Sequence, residues 1–354
     1  MKKIIGKKDR VTIFPITERG YALATGLASI AGEVRVFRPV ELRGGKLRGL
    51  VKEAFLSSRA VVFVGASGIA VRAIAPLLKG KEVDPAVLVM DEKARFVISL
   101  LSGHLGGANQ LAEEIAAILN ATAVVTTATD VNNLPCIEDV ALEFNLAIEN
   151  VRGIKAVNSA ILAGGPIHIA DKNQKRLKAI RGFLGKDAGK IFTFGRLPRH
   201  GARAVAIISS ALNISSPKGF KVPTLRLRPK EFVAGLGCRR GTGAEDIKKA
   251  VDRAFKARGI SPLCIRNLAT IDIKADEAGL LEFAASRGLE LELFTAKELN
   301  TRATRSSSFV LTTTGAGGVS EPAALLSAGA KRLWLKKQKS ARVTVAAARL
   351  CFTS

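Results

Sequence analysis

The feature that most constrains the fold is a repeated order of a short apolar run, a glycine-rich turn and a segment of helical period. In the first half of the chain, the run 61–64 (VVFV) ends at the turn 65–68 (GASG), and apolar residues then recur at Val71, Ile74 and Leu78. Such a run is typical of a buried strand, and strands that alternate with helices build parallel sheets. The pattern therefore predicts an α/β fold.

Similar runs extend this prediction along the chain. Further strands are predicted at 87–90, 96–98, 123–126, 167–169, 205–208, 232–236, 289–294, 309–311, 332–335 and 342–346, and helices at 105–119, 247–255 and 321–326. The segment 91–93 is a polar turn between two of these strands. We predict two parallel-sheet α/β units, amino-terminal and carboxy-terminal, joined by a less diagnostic middle region.

A chain of 354 residues is too long for one ordinary core. We place an amino-terminal domain at 1–138, a middle region and linker at 139–228, and a carboxy-terminal domain at 229–354. Within the middle, the segment 215–229 contains Ser and Pro and is the best candidate for the linker.

Charge is the strongest signal in the composition. The chain has 55 Lys and Arg against 30 Asp and Glu, a formal charge of +25. This excess favours an anionic partner: nucleic acid, an acidic membrane or a substrate with many carboxylates. Alternatively, the basic residues, which are spread along the whole chain, solvate the surface. One Trp, one Tyr and the absence of a zinc-finger pattern argue against nucleic-acid binding.

Cysteine spacing and hydropathy bear on the compartment. The four cysteines are widely separated and form no CxxC pair: Cys136, Cys238, Cys264 and Cys351. Their spacing predicts neither a disulfide framework nor a metal site. Charged residues at 7–10 interrupt any signal peptide, and the apolar run 60–78 contains an arginine and a turn, so no membrane span is predicted. We expect a cytoplasmic protein.

The first candidate site is the loop after the strand 61–64. Loops at the carboxyl ends of parallel strands border the ligand crevice of such folds. Gly65, Ser67 and Gly68 present backbone N–H groups at a helix start, which favours an oxyanion, and Arg72 is a candidate for a bidentate carboxylate contact. The spacing of a phosphate-binding loop is absent.

One imidazole lies among three glycines in the loop 102–109. Because histidine titrates near neutrality, His104 is a candidate general acid or base, although it is equally well placed to cap its own loop. The neighbouring candidates for substrate binding are Ser102, Gly103, Gly106, Gly107 and Asn109. Their N–H groups are candidates for holding an oxyanion.

The segment 126–132 forms a third polar loop at a predicted strand end. Thr127 is a candidate for substrate binding. Asp130 is a candidate catalytic carboxylate that orients His104 or activates water, and the alternative is that it caps a helix.

Two loops of the carboxy-terminal unit are further candidates. The loop 237–243 offers five substrate-binding residues: Gly237, Cys238, Arg239, Arg240 and Thr242. Its glycine spacing departs from the dinucleotide fingerprint by one residue, and adjacent arginines indicate a carboxylate receptor instead. In the loop 312–321, Gly317 and Ser320 are candidates for substrate binding and Glu321 for catalysis. Alternatively, Ser320 caps the next helix and Glu321 stabilises its first turn.

Long strings of residues in both halves are those of one known family. Residues 63–116 (FVGASGIAVRAIAPLLKGKEVDPAVLVMDEKARFVISLLSGHLGGANQLAEEIA) and 124–135 (VVTTATDVNNLP) resemble the amino-terminal domain of the cobalt-precorrin-5A hydrolase family. Residues 233–251 (VAGLGCRRGTGAEDIKKAV), 268–284 (LATIDIKADEAGLLEFA) and 318–329 (GVSEPAALLSAG) resemble its carboxy-terminal domain, which also occurs alone. The region 140–228 is poorly diagnostic.

The resemblance implies an enzyme of anaerobic cobalamin biosynthesis. Such enzymes open the δ-lactone of cobalt-precorrin-5A with water and release acetaldehyde, giving cobalt-precorrin-5B. The substrate carries several carboxylates, which agrees with the basic charge. Cobalt enters with the substrate, so no further cofactor or metal is expected. Candidate partners are other enzymes of the pathway and a second copy of the chain, with no membrane and no nucleic acid.

On this hypothesis, Arg72, Arg239 and Arg240 bind peripheral carboxylates and His104 moves a proton of the attacking water. The N–H groups of Gly106 and Gly107 stabilise the tetrahedral oxyanion. The main rival is a tetrapyrrole carrier without activity. A dinucleotide-dependent oxidoreductase is a weaker rival because of the glycine spacing.

Overall fold

The computed structural model describes residues 10–27, 33–80, 83–185, 189–197, 201–214, 221–302 and 308–350. The chain divides into two compact units, Met1–Leu142 and Glu143–Ser354. The first unit has one β-sheet and the second has two. The α/β class is confirmed, while the domain boundaries at 138 and 228 stay predictions.

The first unit is built on a six-stranded sheet with the order β2-β1-β3-β4-β5-β6. Its strands are β1 (Arg10–Pro15), β2 (Glu33–Val36), β3 (Ala60–Val64), β4 (Ala86–Met90), β5 (Phe96–Leu101) and β6 (Thr122–Val124). Its helices are α1 (Glu18–Gly26), α2 (Lys46–Ser57), α3 (Ser67–Ile74), α4 (Ala108–Leu119), α5 (Ala128–Val131) and α6 (Ile137–Glu143). Neighbouring strands are parallel except β4 and β5.

The central strand β3 shows why this sheet needs cover on both faces. All five of its residues are buried, and successive side chains point to opposite faces. Val62 and Val64 pack into the core that contains α4, whereas Val61 and Phe63 pack into the core that contains α2 and α3. A continuous apolar run is therefore the expected sequence of such a strand.

The turn between β4 and β5 makes these two strands antiparallel. The segment 91–95 is too short for the crossover of a dozen or more residues that joins parallel strands. The Asp91 carboxylate accepts backbone N–H bonds from Lys93 at 3.0 Å and from Arg95 and Phe96 at 2.9 Å. Burial raises the pKa of Asp91, but these bonds outweigh it and leave the pKa below its usual value.

This reversal places the loops that follow the strands at two opposite edges of the sheet. The carboxyl ends of β1, β3 and β4 lie at one edge of the sheet, and those of β5 and β6 lie at the opposite edge. In a uniformly parallel sheet, all the loops that follow strands border one crevice. In this unit they lie at two edges and do not share one crevice.

The first sheet of the second unit has the order β7-β11-β10-β8-β9. Its strands are β7 (Leu146–Ile148), β8 (Ile167–Asp171), β9 (Phe192–Gly195), β10 (Ala204–Ile208) and β11 (Thr224–Pro229), with helices α7 (Arg152–Leu162) and α8 (Gln174–Leu184). The strand β11 pairs with β10 and β7, so the predicted linker is wrong over 224–229. Residues 215–220 of that segment lie outside the described residues.

The second sheet of this unit has the order β14-β13-β12-β16-β15. Its strands are β12 (Phe232–Cys238), β13 (Ile265–Ile271), β14 (Glu290–Phe294), β15 (Leu333–Lys339) and β16 (Val343–Arg349). Its helices are α9 (Ala244–Lys256), α10 (Ala278–Ser286), α11 (Ala296–Asn300), α12 (Ser308–Thr314) and α13 (Ser320–Ala328). The strand predicted at 309–311 is wrong, because these residues lie in α12. The aromatic Phe309 and the β-branched Val310 favour a strand, but propensity is a weak local signal.

Among the described residues, the helices are too short or too polar to cross a bilayer.

Candidate active site

Two loops meet at the edge of the first sheet where β5 and β6 end. The strands are parallel, so the loop after each leaves the sheet on the same side. His104 Nε2 lies 3.0 Å from Thr129 Oγ1 and 3.2 Å from Asp130 Oδ2. The structure thus brings together two of the three predicted catalytic residues. The side chain of His104 is 13% exposed and that of Asp130 is 33% exposed, so solvent reaches the pair.

A buried amide holds the carboxylate in place. Asn109 Nδ2 donates to Asp130 Oδ2 and to Thr127 Oγ1, each at 3.2 Å. Its Oδ1 accepts from Ser99 Oγ at 2.7 Å. Gly103 faces the same amide, where a Cβ would lie 2.5 Å from Asn109 Oδ1. Asn109 therefore positions Asp130 and also bonds to Thr127, and substrate binding by Asn109 and Thr127 stays a prediction.

The other ring nitrogen of His104 faces two residues that sequence reasoning missed. Cys136 Sγ lies 3.3 Å from His104 Nδ1, and Asp139 Oδ1 lies 3.8 Å from it. Cys136 is fully buried, whereas the Asp139 side chain is 49% exposed. Cys136 directly precedes α6, and Asp139 is in the first turn of that helix. Their three-residue spacing is the available signal, but two residues alone are too common a pattern to indicate a site.

The surroundings of His104 are acidic, in a chain of charge +25. Partial burial raises the pKa of Glu113, and the nearby carboxylates of Asp130 and Asp139 raise it further. Burial also raises the pKa of the Cys136 thiol well above its usual value, with further contributions from Asp139 and Glu138. A protonated, buried thiol is a poor nucleophile. The carboxylates of Asp130 and Asp139 flank His104, so these surroundings suit a cation better than a carboxylate.

The backbone of the histidine loop is internally bonded. Gly107 has φ of +83° and its N–H donates to the carbonyl of His104 at 3.0 Å. The proposed oxyanion role of Gly107 is therefore wrong for this conformation, because its donor is already used. Ser102 Oγ donates to the Asp84 carbonyl at 3.0 Å, and a Cβ on Gly106 would lie 2.3 Å from Ser102 Cβ. Ser102 and Gly106 shape the loop.

The first predicted loop lies elsewhere. Gly65, Ser67 and Gly68 follow β3, whose carboxyl end is at the edge opposite to His104. Arg72 Nη1 donates to the Gly68 carbonyl of its own helix at 3.2 Å. Arg72 and His104 therefore lie at opposite edges of this sheet, and the role of Arg72 in binding a carboxylate stays a prediction.

The loop after β12 carries the predicted anion receptor of the second unit. Of the five predicted residues, Gly237 and Cys238 end β12, and Arg239, Arg240 and Thr242 lie in the loop itself. Both arginines are exposed, and the Arg240 guanidinium lies 3.6 Å from the exposed carboxylate of Asp276. Thr242 is fully buried and donates to the Arg239 carbonyl at 2.6 Å, so its hydroxyl is structural.

A buried carboxylate that sequence reasoning missed supports this loop. Glu277 accepts the N–H of Gly241 and an ion pair from Lys274 Nζ at 2.9 Å. Burial alone raises the pKa of Glu277, but Lys274 and the Gly241 N–H outweigh it, so the pKa lies below its usual value. Because Gly241 has φ of +70°, a residue type other than glycine is disfavoured there.

The start of α13 lies beside the end of β12. A Cβ on Gly237 would lie 3.9 Å from Val319 Cβ. Gly317 donates its N–H to Asn300 Oδ1 at 2.8 Å. Val319 occupies the N-cap position, so the prediction that Ser320 caps this helix is wrong. Ser320 is buried, and its Oγ has no hydrogen-bond partner in the described part of the chain.

Glu321, the third predicted catalytic residue, has a structural contact. Its Oε1 accepts the backbone N–H of Lys337 in β15 at 2.9 Å. This bond ties α13 to the sheet, and the first-turn position also favours a carboxylate. The structural alternative accounts for Glu321 without a catalytic role.

One group of side chains in the described residues has the donor set of a metal site. The ligand atoms of His104, Cys136 and Asp139 lie within 4.8 Å of one another.

Comparisons with known proteins cover both units. The family profile described as "Cobalamin synthesis G N-terminal" matches residues 49–130, and the profile "Cobalamin synthesis G C-terminus" matches residues 232–348. The chain is 35% identical to the cobalt-precorrin-5A hydrolase of Salmonella typhimurium, with 91% of this chain and 93% of that protein covered. It is 31% identical to the cobalt-precorrin-5A hydrolase of Priestia megaterium, with 97% of each covered. Protein CobE of Sinorhizobium is 36% identical over 121 residues, which are 33% of this chain and 79% of that protein.

Proposed function

Because the chain belongs to the cobalt-precorrin-5A hydrolase family, we propose that it hydrolyses the δ-lactone of cobalt-precorrin-5A in the cytoplasm. Water adds to the lactone carbonyl, the ring oxygen leaves, and the two-carbon fragment departs as acetaldehyde to give cobalt-precorrin-5B. The observation that carries this function is the identity of 31–35% to two such hydrolases over more than nine-tenths of the chain.

We place the activation of water at the His104–Asp130 pair. Asp130 is partly exposed, and Asn109 and His104 fix its orientation. A positioned carboxylate can accept the proton of an attacking water, and general-base catalysis of this kind contributes about 10²- to 10⁴-fold to the rate. His104 Nε2, 3.2 Å away, donates its N–H to this carboxylate and helps to hold it in place.

We assign recognition of the substrate's carboxylates to the second unit. Arg239 and Arg240 are exposed at the end of β12, on a loop that Glu277 and Thr242 hold rigid. Guanidinium groups pair with carboxylates in a bidentate geometry. The exposed contact between Arg240 and Asp276 is weak enough to exchange for a substrate carboxylate.

The deciding experiment is anaerobic incubation of the purified chain with cobalt-precorrin-5A. Acetaldehyde is trapped as a hydrazone, and the ring-opened product is followed by mass spectrometry. Stoichiometric appearance of both supports the hydrolase. Tight binding of the corrinoid without release of acetaldehyde would instead support a tetrapyrrole carrier without activity.

A further inference from the structure

We propose that His104, Cys136 and Asp139 bind a divalent cation of the zinc class. The imidazole nitrogen Nδ1 lies 3.3 Å from Cys136 Sγ and 3.8 Å from Asp139 Oδ1. In a tetrahedral zinc site with the usual bond lengths, neighbouring ligand atoms are about 3.4–3.6 Å apart. Two of the three separations are therefore within a few tenths of an ångström of those in a zinc site, and the third, between Cys136 Sγ and the Asp139 carboxylate, is at most 4.8 Å. Nitrogen, sulfur and carboxylate oxygen are the ligands that zinc prefers.

The opposite side of the imidazole has the arrangement of a metal-bound histidine. Its Nε2 faces Asp130 Oδ2 at 3.2 Å and Thr129 Oγ1 at 3.0 Å. A histidine that ligates a metal usually donates its other N–H to a carboxylate, which sets the tautomer and ring orientation. With the proton on Nε2, the lone pair of Nδ1 points towards Cys136 and Asp139. This contact comes from α5, whereas the proposed ligands Cys136 and Asp139 come from the segment at α6.

Charge and access also favour a cation at this position. Asp130 and Asp139 flank His104, and Glu113 lies near both. In a chain of charge +25, such a cluster suits a cation rather than the anionic corrinoid. The Asp139 side chain is 49% exposed, so solvent reaches this side of the group, and three protein ligands would leave the fourth position to water, as in catalytic zinc sites.

When the ion binds, the Cys136 thiol releases one proton to solvent and becomes a thiolate ligand. The chemical use of the ion rests on the proposed function: a water on the fourth position would lie near Asp130 and serve as the attacking nucleophile. Binding itself does not depend on that function.

The test is titration of the chelator-treated full-length chain with Zn²⁺ against a chromophoric chelator, and with Co²⁺ as a spectroscopic probe, both without substrate. We expect one ion per chain and a thiolate-to-cobalt charge-transfer band in the near ultraviolet. Cys136→Ser should lose the band, and Asp130→Asn should weaken zinc binding about 10- to 100-fold through the ligand it orients. Cys264→Ser, which removes another buried thiol, should keep both properties.

Zinc should also raise the unfolding temperature of the wild type and Cys264→Ser but not that of Cys136→Ser, which separates lost binding from failed folding. Substoichiometric zinc binding by the wild type, or a band that persists in Cys136→Ser, would overturn the inference. Acetaldehyde release at the full rate by protein shown to be metal-free would overturn its catalytic use and leave the proposed function intact. Zinc binding without acetaldehyde release would support the site and contradict the proposed function.

Discussion

At the scale of single residues, His104 lies between side chains from two other segments. Asp130 and Thr129 contact Nε2, and Cys136 and Asp139 face Nδ1. A histidine that merely caps its own loop would bond to nearby backbone, but these side-chain contacts reach 25 to 35 residues along the chain. The imidazole therefore links segments that are distant in sequence, which favours a functional role over loop capping.

The first prediction concerns the carboxylate of this pair. Asp130→Asn removes the proton acceptor but keeps the shape and the hydrogen bond to His104. We expect kcat/KM for acetaldehyde release to fall by about 10²-fold or more. Glu282→Gln, an exposed carboxylate on α10, is the matched control and should retain wild-type activity. A loss of less than threefold in Asp130→Asn would remove this residue from the mechanism.

A second prediction concerns the buried carboxylate of Glu277. Its folded pKa lies below the ordinary value of 4.5, so its stabilising contribution is complete above that pH and is lost as pH falls through the folded pKa. At pH 7, Glu277→Gln should lower the free energy of unfolding by about 1.5–3 kcal/mol. Urea unfolding from pH 7 down to 3.5 measures both effects. The variant should lose less stability than the wild type on acidification; parallel curves would contradict the assignment.

At the scale of elements, the contact between β12 and α13 depends on a glycine. A Cβ on Gly235 would lie 1.9 Å from the Ser320 carbonyl oxygen and 2.8 Å from the Ala324 nitrogen. These are backbone atoms, so the helix itself has to move to admit a side chain. The glycine thus sets how closely α13 approaches the strand that carries the arginine loop.

The third prediction follows from this packing. Gly235→Ala should lower the free energy of unfolding by about 1–3 kcal/mol, because overpacking shifts the backbone. Gly49→Ala is the contrast: it lies within α2, a Cβ there meets nothing within 4 Å, and alanine is the better helix former. That variant should be stabilised by up to about 1 kcal/mol. Thermal and urea unfolding compare the two, and equal effects would contradict the packing argument.

The reversal at β5 was available from the sequence. The polar turn at 91–93 leaves too few residues for a crossover, so its two flanking strands had to be antiparallel. The remaining strands and their glycine turns follow from local patterns, as at β3 and β12. The order in which the strands pair does not follow from local patterns, because the apolar pattern of a strand is the same whichever strand lies next to it.

At the scale of the whole molecule, acidic and basic residues are unevenly distributed between the two candidate sites. The chain carries +25, yet the surroundings of His104 are acidic and the exposed arginine pair is on the other unit. Attraction of a polycarboxylate and activation of water are therefore assigned to different places. Opposite local charges suit these tasks, because a carboxylate base close to the anionic side chains of a substrate would repel them.

The fourth prediction concerns the attraction between the exposed arginines and the carboxylates of the substrate. Arg239→Gln and Arg240→Gln should each raise KM about 1.5- to 5-fold with kcat nearly unchanged, the range for exposed ion pairs. The wild-type KM should rise with ionic strength because salt screens the attraction, and the double variant should respond less. Arg302→Gln, another exposed arginine, is the control. A salt response identical in the double variant would remove these residues from substrate binding.

By itself, the sequence determined the α/β class, the elements on either side of the glycine turns that follow β3 and β12, and the family, because these depend on neighbouring residues or on long matching strings. It also selected His104 and Asp130, which stand in conspicuous polar segments after predicted strands. Tertiary structure alone decided that Cys136 and Asp139 face the same imidazole. The physical reason is that contact between distant residues depends on strand order and direction, which local hydrophobic patterns leave open.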